Sequence, residues 1–233
     1  MKQLSVISVA DSNALLERIF LDLGNLIAQK LQAQESFHLG LTGGRFGTAL
    51  AKQIFSTSFA QNPKVNFWWS DERFLMAGDS DRNDSVVPEN LRHERNVHAM
   101  PSADKYELVE AAQVASKNLE IVSDNPGQKL MDLTLLSVGP DGHIASLFPN
   151  HSALQSLDLV TAVADSPKPP KERLTWTIST INRSSQVWFI ASGAEKLSAV
   201  THLMAGDLTI PASNVAGIDA TILYADKAAL LSK

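Results

Sequence analysis

A mostly parallel α/β sheet with helices on both faces is the fold this sequence predicts, and three observations predict it. Short apolar runs alternate with longer segments of helical periodicity, the pattern of strands linked by crossover helices. Three of the apolar runs end in glycine- or charge-bearing turns: Thr42-Gly43-Gly44-Arg45, Ser70-Asp71-Glu72-Arg73 and Gly139-Pro140-Asp141-Gly142-His143. No internal repeat, low-complexity tract or flexible linker interrupts the 233 residues, so 1–233 reads as a single domain long enough to bury a large core.

The elements follow in order. Residues 3–9 alternate as a first strand, and Asp11 or Ser12 caps a long helix with Leu16, Ile19, Phe20, Leu23, Ile27 and Leu31 near one face. Phe37 to Leu41 is a short apolar strand, followed after the glycine pair by a helical pattern through Leu50 and Ile54. Val65 to Trp69 is the next strand, with Trp68 and Trp69 read as core residues. A polar stretch from Gly78 to Pro88 leads to a weak helix and a short strand at Asn96 to Ala99. Asp104 to Val122 predicts a helix whose inner face is Leu108, Val109, Ala112, Ala115 and Leu119. Strands are expected at 131–138, 159–164, 173–178 and 186–191, and helices near 194–204 and 226–231. The proline-rich Ser166-Pro167-Lys168-Pro169-Pro170-Lys171 lies between two predicted strands and reads as a stiff loop.

Composition narrows the function. Hydrophobic content of 44% and charged content of 19% describe an ordinary globular chain. A net charge of −5 argues against a general nucleic-acid binder, although a few placed cations suffice for an anionic small molecule. The absence of cysteine removes disulfides, thiolate metal sites and cysteine nucleophiles. The N-terminal apolar run ends at Asp11 and is not a signal peptide, and no window reaches the roughly 18 apolar residues of a membrane span. A cytoplasmic chain with no membrane or nucleic-acid partner is expected.

The three strand ends carry the chemistry. At the carboxyl ends of parallel strands they would meet at one rim of the sheet, where ligands bind. Gly43 and Gly44 before a helix let backbone N–H groups approach an anion, and the same pair also fits a plain strand-to-helix turn. Arg45 and Arg73 are candidate phosphate ligands, although surface ion pairing is the commoner fate of a lone arginine. Lys168, Lys171 and Arg173 form a cationic cluster on the stiffened loop. Asp71 and Glu72 are adjacent and face opposite ways on an extended segment, so they do not form a carboxylate pair; one of them can orient Arg73 or a neighbouring loop. His143, directly after Asp141-Gly142, reads either as a proton-transfer group or as a solvated histidine on a tight turn. His38, His93, His98 and His202 read as structural or surface residues, and the eight-residue spacing of His143 and His151 does not suggest a metal site. Walker, dinucleotide-fingerprint and Gly-x-Ser-x-Gly motifs are all missing.

Taken together, the segments LTGGR (41–45), WWSDERF (68–74), NVHAMP (96–101), LLSVGPDGHIASLFPNH (135–151), DSPKPPKERLTWTISTIN (165–182), PASNVAG (211–217) and LYADKAA (223–229) resemble the 6-phosphogluconolactonase family along nearly the whole chain. The GPDGH-x-x-SLFP and DSPKPP-x-x-R-x-T segments are its specific features. The resemblance implies a Rossmann-like fold shared with glucosamine-6-phosphate deaminases and ribose-5-phosphate isomerases (NagB/RpiA-like). It also implies a carboxylic ester hydrolase that needs no cofactor and converts 6-phospho-D-glucono-1,5-lactone to 6-phospho-D-gluconate, the second step of the oxidative pentose phosphate pathway. The implied partner is the small sugar-phosphate lactone, with the protein a monomer or weak homo-oligomer. On this reading His143 activates water and Asp141 orients the imidazole. Gly43, Gly44, Arg45, Arg73, Lys168 and Arg173 bind the phosphate. Many relatives read Gly-Gly-Ser-Thr-Pro where this chain has Gly43-Gly44-Arg45-Phe46-Gly47, so contacts of the two hydroxyls cannot be carried over. Two alternatives remain. An amino-sugar phosphate deaminase/isomerase would read Asp-Glu-Tyr at 71–73 and lack the SPKPP loop. A sugar-phosphate-sensing effector domain would need a DNA-binding segment; the chain begins with a strand at Leu4 and carries no basic helix-turn-helix extension, which counts against this reading.

Overall fold

The computed structural model describes residues 4–92, 94–123 and 127–230. Gln3, His93 and Leu231, which the sequence reading touched, lie outside the described residues. The strands are β1 (Leu4–Val9), β2 (Phe37–Leu41), β3 (Val65–Trp69), β4 (Asp71–Arg73), β5 (Val97–His98), β6 (Met131–Ser137), β7 (Val160–Val163), β8 (Arg173–Trp176), β9 (Ser184–Ala191) and β10 (Ala220–Asp226). The helices are α1 (Ser12–Lys30), α2 (Gly44–Phe55), α3 (Ser58–Gln61), α4 (Leu108–Glu120), α5 (Ile178–Ile181), α6 (Leu197–Ala205) and α7 (Lys227–Leu230).

Seven strands form one parallel sheet in the order β1-β10-β9-β6-β2-β3-β5, and β4, β8 and β7 form a small antiparallel sheet. The predicted α/β class holds, with two differences. The strands expected at 159–164 and 173–178 leave the main sheet: β7 and β8 pair antiparallel across the proline-rich loop, and β8 also pairs with β4 from the far end of β3. The second difference is β10, which the sequence reading did not assign and which lies between the edge strand β1 and β9.

Strand alternation sends side chains to two cores. Val187, Phe189 and Ala191 of β9 face a cluster with α4, α6 and the small sheet, whereas Trp188 and Ile190 face a cluster with α1 and α2. On α1 the buried residues are Leu15, Ile19, Leu23, Leu26 and Ile27, with the predicted Leu16, Phe20 and Leu31 packed at the margin. The Asp11 carboxylate caps this helix by accepting from the Asn13 and Ala14 amides, at 3.0 and 2.9 Å. Val109, predicted on the inner face of α4, is 64% exposed, because the helix begins at Leu108 and buries Ala111, Ala112, Ala115 and Leu119 instead. The weak helix after Pro88 is a single 3₁₀ turn, Glu89–Leu91. Gly40 lets the small sheet approach, since a Cβ there would lie 2.8 Å from the Trp176 ring.

Candidate active site

After β2 the chain builds outward to β3 and β5, and after β6 it builds the other way, to β9 and β10. The β2–β6 seam is therefore the switch point of the sheet, where carboxyl ends of neighbouring strands leave a crevice. Only Leu39–Leu133 and Gly40–Thr134 are in register across it. Beyond them side chains replace the ladder: the Ser137 amide donates to Thr42 Oγ1 at 3.2 Å, and Ser137 Oγ donates to the Gly43 carbonyl at 3.4 Å. A cavity of about 720 Å³ opens above this seam.

Seven of the eight residues singled out from sequence line that cavity, namely Gly43, Gly44, Arg45, Arg73, His143, Lys168 and Arg173. Asp141 stands behind the imidazole. The turn carrying this pair is closed by the Gly139 amide donating to the His143 carbonyl (2.8 Å) and by the Gly142 amide donating to the Gly139 carbonyl (2.9 Å). Gly142 has φ +79° and touches Ile210, where a Cβ would lie 2.5 Å from the Ile210 Cβ. The Ala212 amide donates to the Gly142 carbonyl at 3.1 Å, so the PASNVAG segment buttresses the turn from below.

His143 Nδ1 is hydrogen-bonded to Asp141 Oδ1, and the ring packs on Phe148 with centroids 4.8 Å apart. Burial holds the imidazole pKa below its ordinary 6.5; the Asp141 carboxylate pulls the other way, and Lys168 adds to the depression. Burial works to raise the Asp141 carboxyl, but the hydrogen bond and charge of His143 outweigh it and the pKa falls below its ordinary value. A neutral imidazole beside an ionised carboxylate donates from Nδ1, leaving the Nε2 lone pair for a substrate or a water.

The anion-binding side is more constrained than the residue types alone suggested. Gly43 is the extended N-cap of α2 and Gly44 its first residue at φ +77°, so the start of this twelve-residue helix borders the cavity. Asn83 lies over Gly43, where a Cβ would come within 2.3 Å of its Oδ1, and Asn83 Nδ2 donates to the Asp71 carbonyl at 2.8 Å. Arg173 is buried, and its guanidinium donates to the Pro170 (2.8 Å), Pro169 (3.0 Å) and Lys168 (3.2 Å) carbonyls. It folds the proline-rich loop as well as facing the cavity. Arg73 Nη1 likewise donates to the Asp81 carbonyl. The Arg45 side chain is 91% exposed at the mouth, 3.5 Å from Glu195 Oε1. Lys168 is exposed on the rim, whereas Lys171 does not line the cavity.

Asp71 and Glu72 do face apart. Asp71 lines the cavity and accepts from Ser146 Oγ at 2.7 Å. Glu72 is fully buried and accepts from the amides of Arg73 (2.7 Å), Asn83 (2.6 Å) and Asp84 (3.0 Å), so it organises the 78–88 loop. Burial pushes its carboxyl up to about 8 against the pull of Arg82, which lies 3.8 Å away and also pairs with Asp84 at 2.8 Å. Of the histidines read as structural or surface residues, His38 Nδ1 accepts from Trp68 Nε1, His98 stacks on Trp68 at 3.8 Å, and the half-exposed His202 pairs with Asp207.

Among the cavity residues that the sequence reading passed over are Asn83, Ser192, Glu195 and Lys196. The last three follow β9 in Ser192-Gly193-Ala194-Glu195-Lys196, a fourth strand end of the same glycine-and-charge type as the three recognised. Lys196 is half-buried, and that burial lowers its pKa, with Lys168 and Arg45 adding to the effect against Glu195. Among the described residues, no helix is long and apolar enough to cross a membrane.

The model of the glucosamine-6-phosphate isomerases/6-phosphogluconolactonase family matches residues 10–223. The chain belongs to this family. A 6-phosphogluconolactonase of Mycobacterium leprae is 33% identical over an alignment covering 97% of this chain and 96% of that protein. One from Mycobacterium tuberculosis is 34% identical over 93% of each. In structure, a 6-phosphogluconolactonase from Thermotoga maritima matches with a TM-score of 0.81 at 24% identity, over 97% of this chain and 100% of that one. A monomeric glucosamine-6-phosphate deaminase matches with a TM-score of 0.75 at 20% identity, over 97% and 98%. At that identity these two likenesses establish the fold shared by both branches of the family.

Proposed function

We propose that this chain hydrolyses 6-phospho-D-glucono-1,5-lactone to 6-phospho-D-gluconate, the second step of the oxidative pentose phosphate pathway, with His143 as the general base. The observation that carries the reading is the Asp141–His143 pair, paired through Nδ1, with His143 lining a cavity that the start of α2 and several cations also border. The names of the relatives supply the substrate.

A lactone is an activated ester, so the enzyme has to deliver water to C1. Nε2 takes a proton from the water as its oxygen bonds to C1, and the imidazolium is held by the Asp141 carboxylate. The tetrahedral intermediate then breaks its bond from C1 to the ring oxygen, which receives the proton back from Nε2 and becomes the C5 hydroxyl. The new carboxylic acid ionises in water. Gly43, Gly44, Arg45, Arg73, Lys168, Arg173 and Lys196 hold the 6-phosphate. That remote binding energy aligns C1 with the water.

The test is a coupled assay with freshly generated lactone, with glucosamine-6-phosphate as the control substrate. His143→Ala and His143→Asn are expected to lower kcat by about 10²–10⁴-fold. Near-wild-type turnover of either variant overturns the general-base role, and release of ammonia from glucosamine-6-phosphate moves the chain to the deaminase branch.

A further inference from the structure

The LYADKAA segment ends the strand that the sequence reading did not assign, and its aspartate has no part in the chemistry above. Asp226 is the last residue of β10, and Ala225 is in register with Ala191 of β9, so Asp226 stands beside Ser192 at the cavity rim. It is 3% exposed. Its Oδ2 accepts from Ser192 Oγ at 2.6 Å and from the Gly193 amide at 3.1 Å. Its Oδ1 accepts from the Gly193 amide at 3.1 Å and from the Ala229 amide at 2.9 Å. A buried carboxylate is tolerated where directed donors replace water, and three of these four hydrogen bonds come from Ser192 and Gly193.

Those two residues begin the turn that carries Lys196. Gly193 has φ +98°, a backbone conformation that residues with a side chain rarely adopt. The Gly193 carbonyl accepts from the Lys196 amide at 3.0 Å, closing a single 3₁₀ turn. Asp226 fixes the amide side of Gly193 and Lys196 is tied to its carbonyl side, so one residue separates the buried anchor from the cation.

We propose that Asp226 is a positioning residue for phosphate recognition, holding Lys196 at the cavity through the Ser192–Gly193 turn. The proposal rests on the reading of the cavity as a phosphate site. Asp226 touches neither the His143 turn nor, on the assignment above, the substrate, so its effect falls on binding and spares the proton transfer.

The experiment measures kcat, KM for the lactone and Kd for inorganic phosphate in wild type, Asp226→Asn and Ser192→Ala. For Asp226→Asn, KM and the phosphate Kd are each expected to rise about tenfold, as when a charge-assisted hydrogen bond is lost, with kcat held within about twofold. Ser192→Ala, which removes one of the four hydrogen bonds, shifts the same two constants by a smaller factor and keeps the proposal testable if the first variant misfolds. A fall in kcat at unchanged KM marks a merely structural role and overturns the proposal, as do unchanged constants in both variants. A wild type that binds phosphate without hydrolysing lactone defeats the lactonase reading alone, and the phosphate Kd of the variants still decides this one.

Discussion

Gly139→Ala isolates the catalytic pair with one methyl group. The Cβ it adds would lie 2.0 Å from His143 Nδ1, 2.1 Å from His143 Cε1 and 2.6 Å from Asp141 Oδ1. The backbone at 139 is outside the left-handed region, so an alanine there meets no conformational penalty and only the collision matters. To reach an ordinary 3.4 Å contact the ring has to retreat by about 1.4 Å, and Phe148 stands against it at 4.8 Å. A misplacement of about 1 Å in a reacting group costs roughly 10²-fold, so kcat is expected to fall by about 10²-fold or more. Overpacking of this kind costs about 1–3 kcal/mol of stability. The phosphate side is untouched, so the Kd of inorganic phosphate stays at its wild-type value. Steady-state kinetics on the coupled assay, with phosphate titration as the control, reads both numbers. A Gly139→Ala enzyme with wild-type kcat would refute the assignment of the Asp141–His143 pair as the proton-handling unit.

Two further predictions concern pH and stability. Burial lowers the His143 pKa, and a base works only when deprotonated, so kcat/KM rises with pH and levels off above a midpoint below 6.5. Asp141→Asn removes the carboxylate that pulls this pKa upward, so the midpoint moves to still lower pH while kcat drops; a midpoint at or above 6.5 in the wild type contradicts the scheme. Arg82→Ala leaves Glu72 and Asp84 with no guanidinium between them, and the expected loss is about 3–5 kcal/mol in a urea melt. A loss under about 1 kcal/mol would show that the cluster is not held by charge pairing.

Much of the fold was legible because its signals are local. Asp11 announced α1, Gly43 and Gly44 announced the break before α2, and the run from Leu133 to Val138 announced a strand buried on both faces. What escaped depends on partners distant in sequence. Nothing in residues 173–178 says that they pair with Asp71–Arg73, or in 159–164 that they follow 173–178 out of the main sheet. Residues 220–226 were passed over because their short apolar run, Ile222 to Ala225, leads straight into a helix at Lys227. In the site, the Asp141–His143 contact spans two residues and was foreseeable. The use of Arg173 on the Pro169 and Pro170 carbonyls depends on how a loop folds back on itself, which residue types do not encode. Lys196 could have been found by applying the strand-end criterion a fourth time, after residue 191.

The short β2–β6 register has a mechanical consequence. With two residue pairs in register, this seam is as short as the β3–β5 pairing at the sheet edge, but it lies inside the sheet and divides β2, β3 and β5 from β6, β9, β10 and β1. Gly43 and Gly44 ride on one wing, His143 and Lys196 on the other. A sugar phosphate gripped by both wings would act as the missing rungs of the ladder, so the cohesion of the sheet and the grip on the ligand would share the same contacts.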